Sequence, residues 1–411
     1  MRFAMVTTFY PPFSYGGDAT YVRALARGLV ARGHEVEVIA SSDAYTMRSP
    51  IPANFASDGD DGVIVHRLRR AVPWLSSLIV QQTSSPGLYA GDIRRILARN
   101  FDVIHYHNIS LIGGLGVLGI GSPALRLYTL HEHWLFCSTH ILWKNARNRC
   151  DKPTCFSCSI RSGIPPQLWR YGRARNRALE GIDRIFSPSR FTAERHHATG
   201  ITQPIEVLPL FSNLADEPVA RLPKLARPRF IFVGRVTASK GIERFLNVAV
   251  ELHEFDFVVI GEGDLRKELV DTYRNNANIH FVGHVAQSEL AVHYASATAL
   301  VLPSLAPETF GLGIVEAAQF GTPAVVDAGA GGAAEMISKN GGGCIYNDEA
   351  ELISTLRALA GDSKLRNGLA VKARRGYELN YTPARHFDAY LSQVNDLLAA
   401  KRAQGATECV Q

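Results

Sequence analysis

The 411-residue sequence lacks any long apolar run and is poor in cysteine, with 6 residues, and in methionine and tryptophan, with 4 each. A membrane-spanning helix needs about 18 consecutive apolar residues, whereas the nearest candidate, Ile109 to Gly121, is shorter and contains five glycines. The segment Met1 to Thr8 also lacks the apolar core of a signal peptide. We therefore expect a cytoplasmic protein with reduced thiols.

The sequence also lacks a large excess of charge of either sign. Its 44 Lys and Arg residues against 38 Asp and Glu residues give a net charge of +6, which does not by itself indicate a nucleic-acid partner. With 46% hydrophobic and 20% charged residues, the composition is typical of a globular protein and excludes disordered and fibrous classes. The length fits two domains of about 200 residues each.

Short apolar runs alternate with amphipathic helical stretches through both halves of the sequence. In the first half this pattern predicts strands at Arg2–Phe9, Glu35–Ser41, Val63–Leu68, Asp102–His107, Leu127–His131, Arg184–Ser187 and Ile205–Leu208. After a polar linker at 216–227, it predicts strands at Phe230–Gly234, Phe257–Ile260, Ile279–Val282, Ala299–Leu302, Ala324–Asp327 and Cys344–Tyr346. Strands alternating with helices at this spacing form parallel sheets covered on both faces.

We therefore predict an α/β protein of two Rossmann-like, doubly wound domains that face each other across a cleft. The first domain covers 1–210 and carries an insertion at 134–168, and the second covers 211–376. Residues 377–411 contain a long amphipathic helix from Pro383 to about Arg402, which we expect to return to the first domain.

Positive charge is concentrated between Trp134 and Thr199, where twelve Lys and Arg residues face four acidic residues. Such a stretch is either the solvated face of a helix or a surface for an anionic acceptor or an anionic membrane. The sequence does not decide between these interpretations.

Four of the six cysteines, Cys137, Cys150, Cys155 and Cys158, lie in the same stretch. Four clustered thiols with one Cys-x-x-Cys pair are typical of a structural zinc site, and His131, His133 or His140 could replace one ligand. We favour this interpretation over a redox pair, a disulfide or four unrelated thiols.

An anion-binding loop is predicted where the first strand of the second half ends. Gly234 and Arg235 follow this strand, and Lys240 and Gly241 precede the next helix. The N-terminus of a helix offers unpaired N–H groups, which suit a phosphate, and Arg235 and Lys240 add the two cations that a diphosphate requires.

Two glutamates lie further along the second half. Glu308 is predicted in a loop, and Glu316 interrupts an apolar helix eight residues later. A buried carboxylate requires hydrogen-bond donors, which the paired hydroxyls of a ribose would provide. The amides of Phe310, Gly311 and Leu312 lie between them at a helix N-terminus and can hold another phosphate oxygen.

Glu308 and Glu316 form an E-x7-E pattern. Together with Gly234-Arg235, Lys240-Gly241 and Gly261-Glu262-Gly263, this pattern resembles the retaining glycosyltransferases of glycosyltransferase family 4, which have the GT-B fold. The resemblance extends to Gly16-Gly17, to Thr129-Leu130-His131-Glu132, to Gly331-Gly332-x2-Glu335 and to Asn340-Gly341, and it covers nearly the whole chain.

The resemblance implies transfer of a sugar from a nucleoside-diphosphate sugar to a glycan, lipid-linked or natural-product acceptor, with retention of configuration and without a catalytic metal. It implies that Glu316 holds the ribose and Glu308 the sugar hydroxyls, and that Arg235 and Lys240 neutralise the diphosphate. Further implied roles go to Gly16 and Gly17 as the loop that closes over the diphosphate, to Glu262 in the donor site, and to His131 beside the transferring sugar. The cysteine-bearing insertion would overhang the acceptor side.

Two other functions are weighed against this one. Gly114 to Gly119 matches G-x-G-x-x-G and would suggest an NAD-dependent nucleotide-sugar dehydrogenase or epimerase, but these glycines do not open the turn after a strand. Close packing explains them better. The other alternative, a non-catalytic sugar- or lipid-binding module, would not need Arg235, Lys240, Glu308 and Glu316 together.

Overall fold

The computed structural model describes residues 1–14, 16–46, 60–121, 123–212, 214 and 227–408. Almost all of the predicted linker therefore lies outside the described residues. The strands before the linker are β1 (Arg2–Thr7), β2 (Glu35–Ser41), β3 (Ile64–Leu68), β4 (Val103–Tyr106), β5 (Leu125–Thr129), β6 (Trp143–Lys144), β7 (Asn148–Arg149), β8 (Arg184–Ser187) and β9 (Ile205–Val207). Those after it are β10 (Arg229–Val233), β11 (Asp256–Ile260), β12 (Ile279–Gly283), β13 (Ala299–Leu302), β14 (Ala324–Asp327) and β15 (Gly343–Tyr346).

The long strands form two parallel sheets. The first has the order β3-β2-β1-β4-β5-β8-β9 and the second the order β12-β11-β10-β13-β14-β15, while β6 and β7 form a separate antiparallel hairpin. The central strands read as continuous apolar runs because both of their faces are buried, as at Phe3–Val6 and Phe230–Phe232. The strand order reverses beside β1 and beside β10, and ligands bind parallel sheets at the carboxyl ends of the strands at such points.

Helices cover both faces of each sheet. In the part before the linker they are α1 (Gly17–Val30), α2 (Asp43–Thr46), α3 (Pro73–Thr83), α4 (Ala90–Leu97), α5 (Cys155–Arg161), α6 (Ala174–Leu179) and α7 (Arg190–His197). After the linker they are α8 (Ile242–Glu251), α9 (Arg266–Thr272), α10 (Gln287–Ser296), α11 (Leu312–Gln319), α12 (Gly332–Asn340), α13 (Glu349–Gly361), α14 (Ser363–Asn380) and α15 (Pro383–Glu408). Short 3₁₀ turns lie at Gly87–Tyr89, Gly114–Gly119, Leu168–Tyr171 and Ala238–Lys240. None of the helices in these described ranges is long and apolar enough to cross a membrane.

The last helix, α15, packs on the first sheet rather than on the second. Its Phe387, Tyr390 and Val394 side chains are fully buried, and the Tyr390 hydroxyl lies 3.0 Å from Nδ1 of His105 on β4. Further along α15, Lys401 donates to Asp183 at 2.9 Å. Helix α15 therefore follows the C-terminal lobe in sequence but packs on the N-terminal lobe.

The predicted α/β class with two Rossmann-like domains is confirmed, and most strand bounds agree within two residues. Helix α1 begins at Gly17, and its N-cap residue, Gly16, has no side chain that could cap it. The chain can turn there in extended conformation without an oxygen cap.

The stretch Gly114–Gly119 is a 3₁₀ turn and not the entrance to a crossover helix. A Cβ at Gly114 would lie 2.6 Å from the Ser84 backbone, and one at Gly116 would lie 2.9 Å from Pro86. Close packing against the segment after α3 therefore requires these glycines, and the dinucleotide interpretation loses its structural context.

Candidate active site

The loop after β10 lies at the reversal point of the second sheet, where the loop after β11 supports it. Gly234 N–H donates to the Ile260 carbonyl at 3.0 Å, and Val236 N–H donates to the Glu262 carbonyl at 2.9 Å. Gly261 has a φ of +132°, and a Cβ there would lie only 2.0 Å from the Gly234 carbonyl oxygen. Only glycine allows this approach. The Arg235 side chain, in the same loop, is exposed at the edge of the sheet.

Glu308 is held in its ionised form by a cation and a hydroxyl. Lys240 Nζ lies 2.6 Å from Glu308 Oε1, and Ser304 Oγ donates to the same oxygen at 2.5 Å. Burial alone would raise the pKa of the Glu308 carboxyl, but Lys240, Ser304 and the nearby Arg235 hold the pKa below its ordinary value. The predicted loop cation and the predicted loop glutamate therefore meet directly.

Glu316 has the opposite electrostatic environment. It lies on α11, half-buried, and among the described residues its hydrogen-bond partner is the Tyr294 hydroxyl at 2.8 Å. Burial raises the pKa of this carboxyl to about 7, although the Tyr294 hydrogen bond opposes the shift. The two glutamates of the E-x7-E pattern therefore differ in charge near neutral pH, one ionised and one close to its titration midpoint.

The N-terminus of α11 faces the N-terminal lobe. Gly311, with a φ of +104°, is its N-cap and provides no side chain, so the first amides of the helix keep their capacity for an anion. A Cβ on Gly17 would lie 3.0 Å from Leu312 Cδ2. The predicted Gly16-Gly17 loop therefore contacts the start of α11 across the gap between the lobes.

His131 follows β5 on the opposite side of this gap. Its Nε2 atom lies 3.0 Å from His107 Nδ1, and its backbone carbonyl accepts a hydrogen bond from Thr309 Oγ1 at 3.0 Å. Burial lowers the pKa of the His131 imidazole to about 3, so the ring is neutral at physiological pH. It can form a neutral hydrogen bond but cannot serve as a charged acid.

Arg235 acts on both lobes. It counts among the charges that lower the pKa of Glu308, and it opposes the raised pKa of Asp18 in the N-terminal lobe, a shift caused by burial and by the charge of Glu132. Asp18 in turn accepts a hydrogen bond from Asn108 at 3.1 Å. The Arg235 guanidinium is therefore close enough to influence carboxylates of both lobes electrostatically.

Glu262, the remaining predicted donor-site residue, is exposed at the end of β11. Its carboxylate lies 3.4 Å from Arg266 Nε and is 58% exposed. The side chain therefore belongs to the rim of the cleft, while its carbonyl supports the Arg235 loop.

Contacts between the lobes that were not predicted surround the site. Ser189 Oγ and Thr192 Oγ1 both donate to the Thr309 carbonyl, at 2.6 and 3.0 Å. Glu335 accepts from the backbone amides of Arg190 and Phe191 at 3.1 and 2.6 Å, so a carboxylate of α12 caps the N-terminus of α7. Glu335 entered the sequence analysis only as part of the Gly331-Gly332-x2-Glu335 pattern of the resemblance, and no pattern predicted this contact.

The cysteine-bearing insertion also reaches the C-terminal lobe. Arg149, on β7, donates to the Leu305 carbonyl at 3.1 Å and to Asp327 at 3.0 Å. Asp327 also accepts a hydrogen bond from Arg244 at 2.5 Å. A side chain at Gly329 would overlap the Arg149 guanidinium. The β6–β7 hairpin therefore acts as a strap across the cleft, and no pattern in the sequence predicted this role.

The four predicted zinc ligands are near one another but do not form a coordination site. Cys137, Cys150, Cys155 and Cys158 are free thiols, and burial together with the charges of the other three raises the pKa of Cys150 to about 11. Among the described residues, no three His, Cys, Asp or Glu side chains converge in a way that could hold a metal. The geometry does not support the zinc site, which remains a prediction for metal analysis.

Two doubly wound parallel sheets that face each other across a cleft are the arrangement expected of the GT-B fold. Family models agree over both lobes: residues 15–215 match the glycosyltransferase family 4 model and residues 217–376 match that of the group 1 glycosyl transferases. The chain belongs to the family 4 glycosyltransferases.

Individual proteins show the same relationship. An uncharacterised glycosyltransferase of Methanocaldococcus jannaschii is 27% identical over 368 residues, covering 82% of this chain and 83% of the relative. Sucrose-phosphate synthase from Thermosynechococcus elongatus has a TM-score of 0.75 at 18% identity, covering 97% and 99% of the two chains. Anabaena HepE in complex with UDP has a TM-score of 0.65 at 15% identity, covering 96% and 100%. The solved structures are similar in fold.

Proposed function

We propose that the protein transfers a sugar from a nucleoside-diphosphate sugar to a carbohydrate, lipid-linked or small-molecule acceptor, with retention of configuration. The observation that carries this proposal is the convergence of Lys240, Glu308 and Arg235 with the N-terminus of α11, opposite Gly17 and His131. A non-catalytic binding module would not need this set of charges.

The donor diphosphate would lie between Arg235, Lys240 and the first amides of α11. These groups supply a planar cation, a point charge and backbone donors. Contact between Gly17 and Leu312 indicates that the first lobe would cover the diphosphate from the other side. Glu316 would accept the ribose hydroxyls in place of water, with Tyr294 fixing its other oxygen. The UDP in the HepE complex makes a uridine donor a sensible first choice.

Breaking the bond from sugar to diphosphate places positive charge on the sugar ring and negative charge on the leaving group. Lys240 and Arg235 would stabilise the departing diphosphate, most strongly when closure excludes water. The ionised Glu308 carboxylate would hold sugar hydroxyls, and the neutral His131 would offer a hydrogen bond from its ring. Its carbonyl is already used by Thr309.

The acceptor would enter from the N-terminal lobe, below the strap formed by the β6–β7 hairpin. The contact of Arg149 with Leu305 and Asp327 supports this arrangement, because it keeps the insertion beside the mouth of the cleft. Retention of configuration and catalysis without a metal rest on membership of the family.

A panel of nucleotide sugars, scored for donor hydrolysis and for binding of the matching diphosphate by calorimetry, tests the proposal. We expect one donor to be hydrolysed and its diphosphate to bind with micromolar to millimolar affinity. Failure of every diphosphate to bind would overturn the transferase, and binding of NAD would favour a dehydrogenase.

A further inference from the structure

An apolar face lies outside the cleft, on the insertion and on the 3₁₀ turn Leu168–Tyr171 at its end. Four large side chains between residues 156 and 171 face solvent: Phe156 is 53% exposed, Ile160 56%, Leu168 73% and Tyr171 55%. Exposed apolar side chains that occur singly need no explanation, but a group of them indicates an interaction surface.

These four side chains form two adjacent pairs. Phe156 and Ile160 are four residues apart on α5 and so share one face of that helix. Leu168 and Tyr171 are three residues apart in a 3₁₀ turn, which has three residues per turn and places them on one side. Ser159 of α5 donates to Ser138 at 2.8 Å and Arg170 of the 3₁₀ turn donates to the Trp134 carbonyl, so both elements pack on the segment 134–138. We call these four residues the insertion face.

Bases without an acidic partner lie in the same part of the sequence as the insertion face. Residues 144–177 contain nine Lys and Arg residues and a single acidic residue, Asp151. Within the described part of the chain, five of these bases are exposed and have no ion pair with a carboxylate: Arg147, Lys152, Arg161, Arg173 and Arg177. The region is therefore both apolar and strongly positive.

We propose that the insertion face docks on the surface of an anionic membrane. Side chains such as Phe156 and Leu168 would enter the region between the headgroups, while Arg161 and Arg173 would contact lipid phosphates. Nucleic acid would satisfy the bases but leave the aliphatic side chains without a partner. Because the strap that carries Arg149 belongs to the same insertion, docking would bring the mouth of the cleft towards the bilayer. The proposal stands independently of glycosyl transfer.

Flotation of the full-length protein with lipid vesicles tests the apolar part of the proposal. We expect binding to vesicles that contain phosphatidylglycerol and little binding to pure phosphatidylcholine. Replacing Phe156→Ser together with Leu168→Ser should weaken binding roughly tenfold. The control pair, Val371→Ser with Leu379→Ser on α14, removes apolar side chains that are 68% and 52% exposed and should leave binding unchanged.

A second pair of variants tests the charges. Arg161→Gln with Arg173→Gln should weaken binding about fivefold per base at low salt. The control, Lys364→Gln with Arg375→Gln, changes the net charge equally at exposed positions of α14 and should have little effect. Circular dichroism verifies that each variant is folded. Absence of binding to phosphatidylglycerol vesicles at low salt, or equal losses in the controls, would overturn the proposal, as would capture of a protein partner without vesicle binding.

Discussion

The two lobes contribute to the cleft in physically different ways. The C-terminal lobe supplies charges that local backbone geometry positions: Arg235 and Lys240 follow one strand, and Glu308 and Glu316 follow another. The N-terminal lobe supplies neutral groups, because burial lowers the pKa of His105, His107 and His131. The histidines of the N-terminal wall therefore offer hydrogen bonds without charge, whereas Arg235, Lys240 and Glu308 place charges on the C-terminal wall.

This difference suits a reaction in which a diphosphate leaves. Cations on the C-terminal wall stabilise the leaving group, whereas a second set of cations on the N-terminal wall would repel the positive charge that develops on the sugar. Acidification should accordingly destabilise the N-terminal lobe first, whereas removal of a charge from the C-terminal wall should mainly lower activity or donor binding. Loss of a contact between the lobes should have a smaller effect than either.

The largest expected effect is acid lability of the N-terminal lobe. Six histidines packed in or against this lobe have lowered pKa values: His105, His107, His131, His133, His196 and His386. Each is neutral when folded but protonated in the unfolded chain below about pH 6.5, so its stabilisation is complete above that pH and is lost as the pH falls, by up to about 1.4 kcal/mol per pH unit. Glu316 acts in the opposite direction, since its pKa of about 7 makes its burial more costly as the pH rises.

Hydrogen exchange measured at about pH 7 and about pH 5 should therefore show the first sheet opening before the second on acidification. The His196→Gln variant should reduce the pH dependence of the unfolding free energy, because glutamine does not titrate. Glutamine can still donate to the Thr192 carbonyl that His196 Nδ1 contacts at 2.7 Å, so the local structure should be kept. The control His253→Gln changes a side chain that is 85% exposed and should not. Equal slopes for both variants would contradict the interpretation.

Removing a cation from the C-terminal wall should have the next largest effect. Lys240→Ala removes a stabilising charge from the leaving diphosphate, so kcat/KM for donor hydrolysis should fall about 10²- to 10³-fold. It also leaves Glu308 without its closest cation, which should raise the pKa of that carboxyl and move the acidic limb of the pH–rate profile upwards. Lys267→Ala, at an exposed position on α9, is the control. A rate loss without movement of the acidic limb would exclude the role assigned to the Lys240–Glu308 pair.

Glu316 should give a smaller effect with a distinct pH dependence. Ribose hydroxyls that donate to its carboxylate favour the ionised form, so binding lowers a pKa that starts at about 7 and releases a proton. Affinity for UDP should then increase from about pH 6 to about pH 8, beyond the increase caused by ionisation of the phosphate itself. Glu316→Gln should lose this additional increase, and Glu316→Ala should weaken binding about tenfold.

Calorimetry in buffers of different ionisation enthalpy measures the released proton directly. Glu268→Gln, at an exposed position of α9, provides the matched control. If Glu316→Gln keeps the wild-type pH dependence, the ribose lies elsewhere.

The C-terminal wall could be predicted from sequence because its residues lie within a few positions of strand ends, where topology alone brings them together. Lys240 and Glu308 meet because β10 pairs with β13, so the loops that follow these two strands are neighbours. The contacts of Glu335 with the amides of α7 and of Arg149 with Asp327 join residues more than a hundred positions apart. Such contacts depend on how the lobes close, which no local pattern encodes. The cysteine spacing predicted a role for the thiols and none for Arg149.

The smallest predicted effect concerns the strap between the lobes. Arg149→Ala removes the hydrogen bonds to Leu305 and Asp327 but leaves Asp327 paired with Arg244, so no buried charge loses its last partner and the fold should persist. A cleft that closes less often binds the donor less tightly, which should raise the KM for the donor about three- to tenfold with a smaller change in kcat. Arg147→Ala, at an exposed position of the same hairpin, should leave both constants unchanged. Arg149→Lys should recover part of the loss, since it restores the charge without the planar fork. Equal effects of Arg147→Ala and Arg149→Ala would mean that the hairpin acts through its charge alone and that the two walls close without the strap.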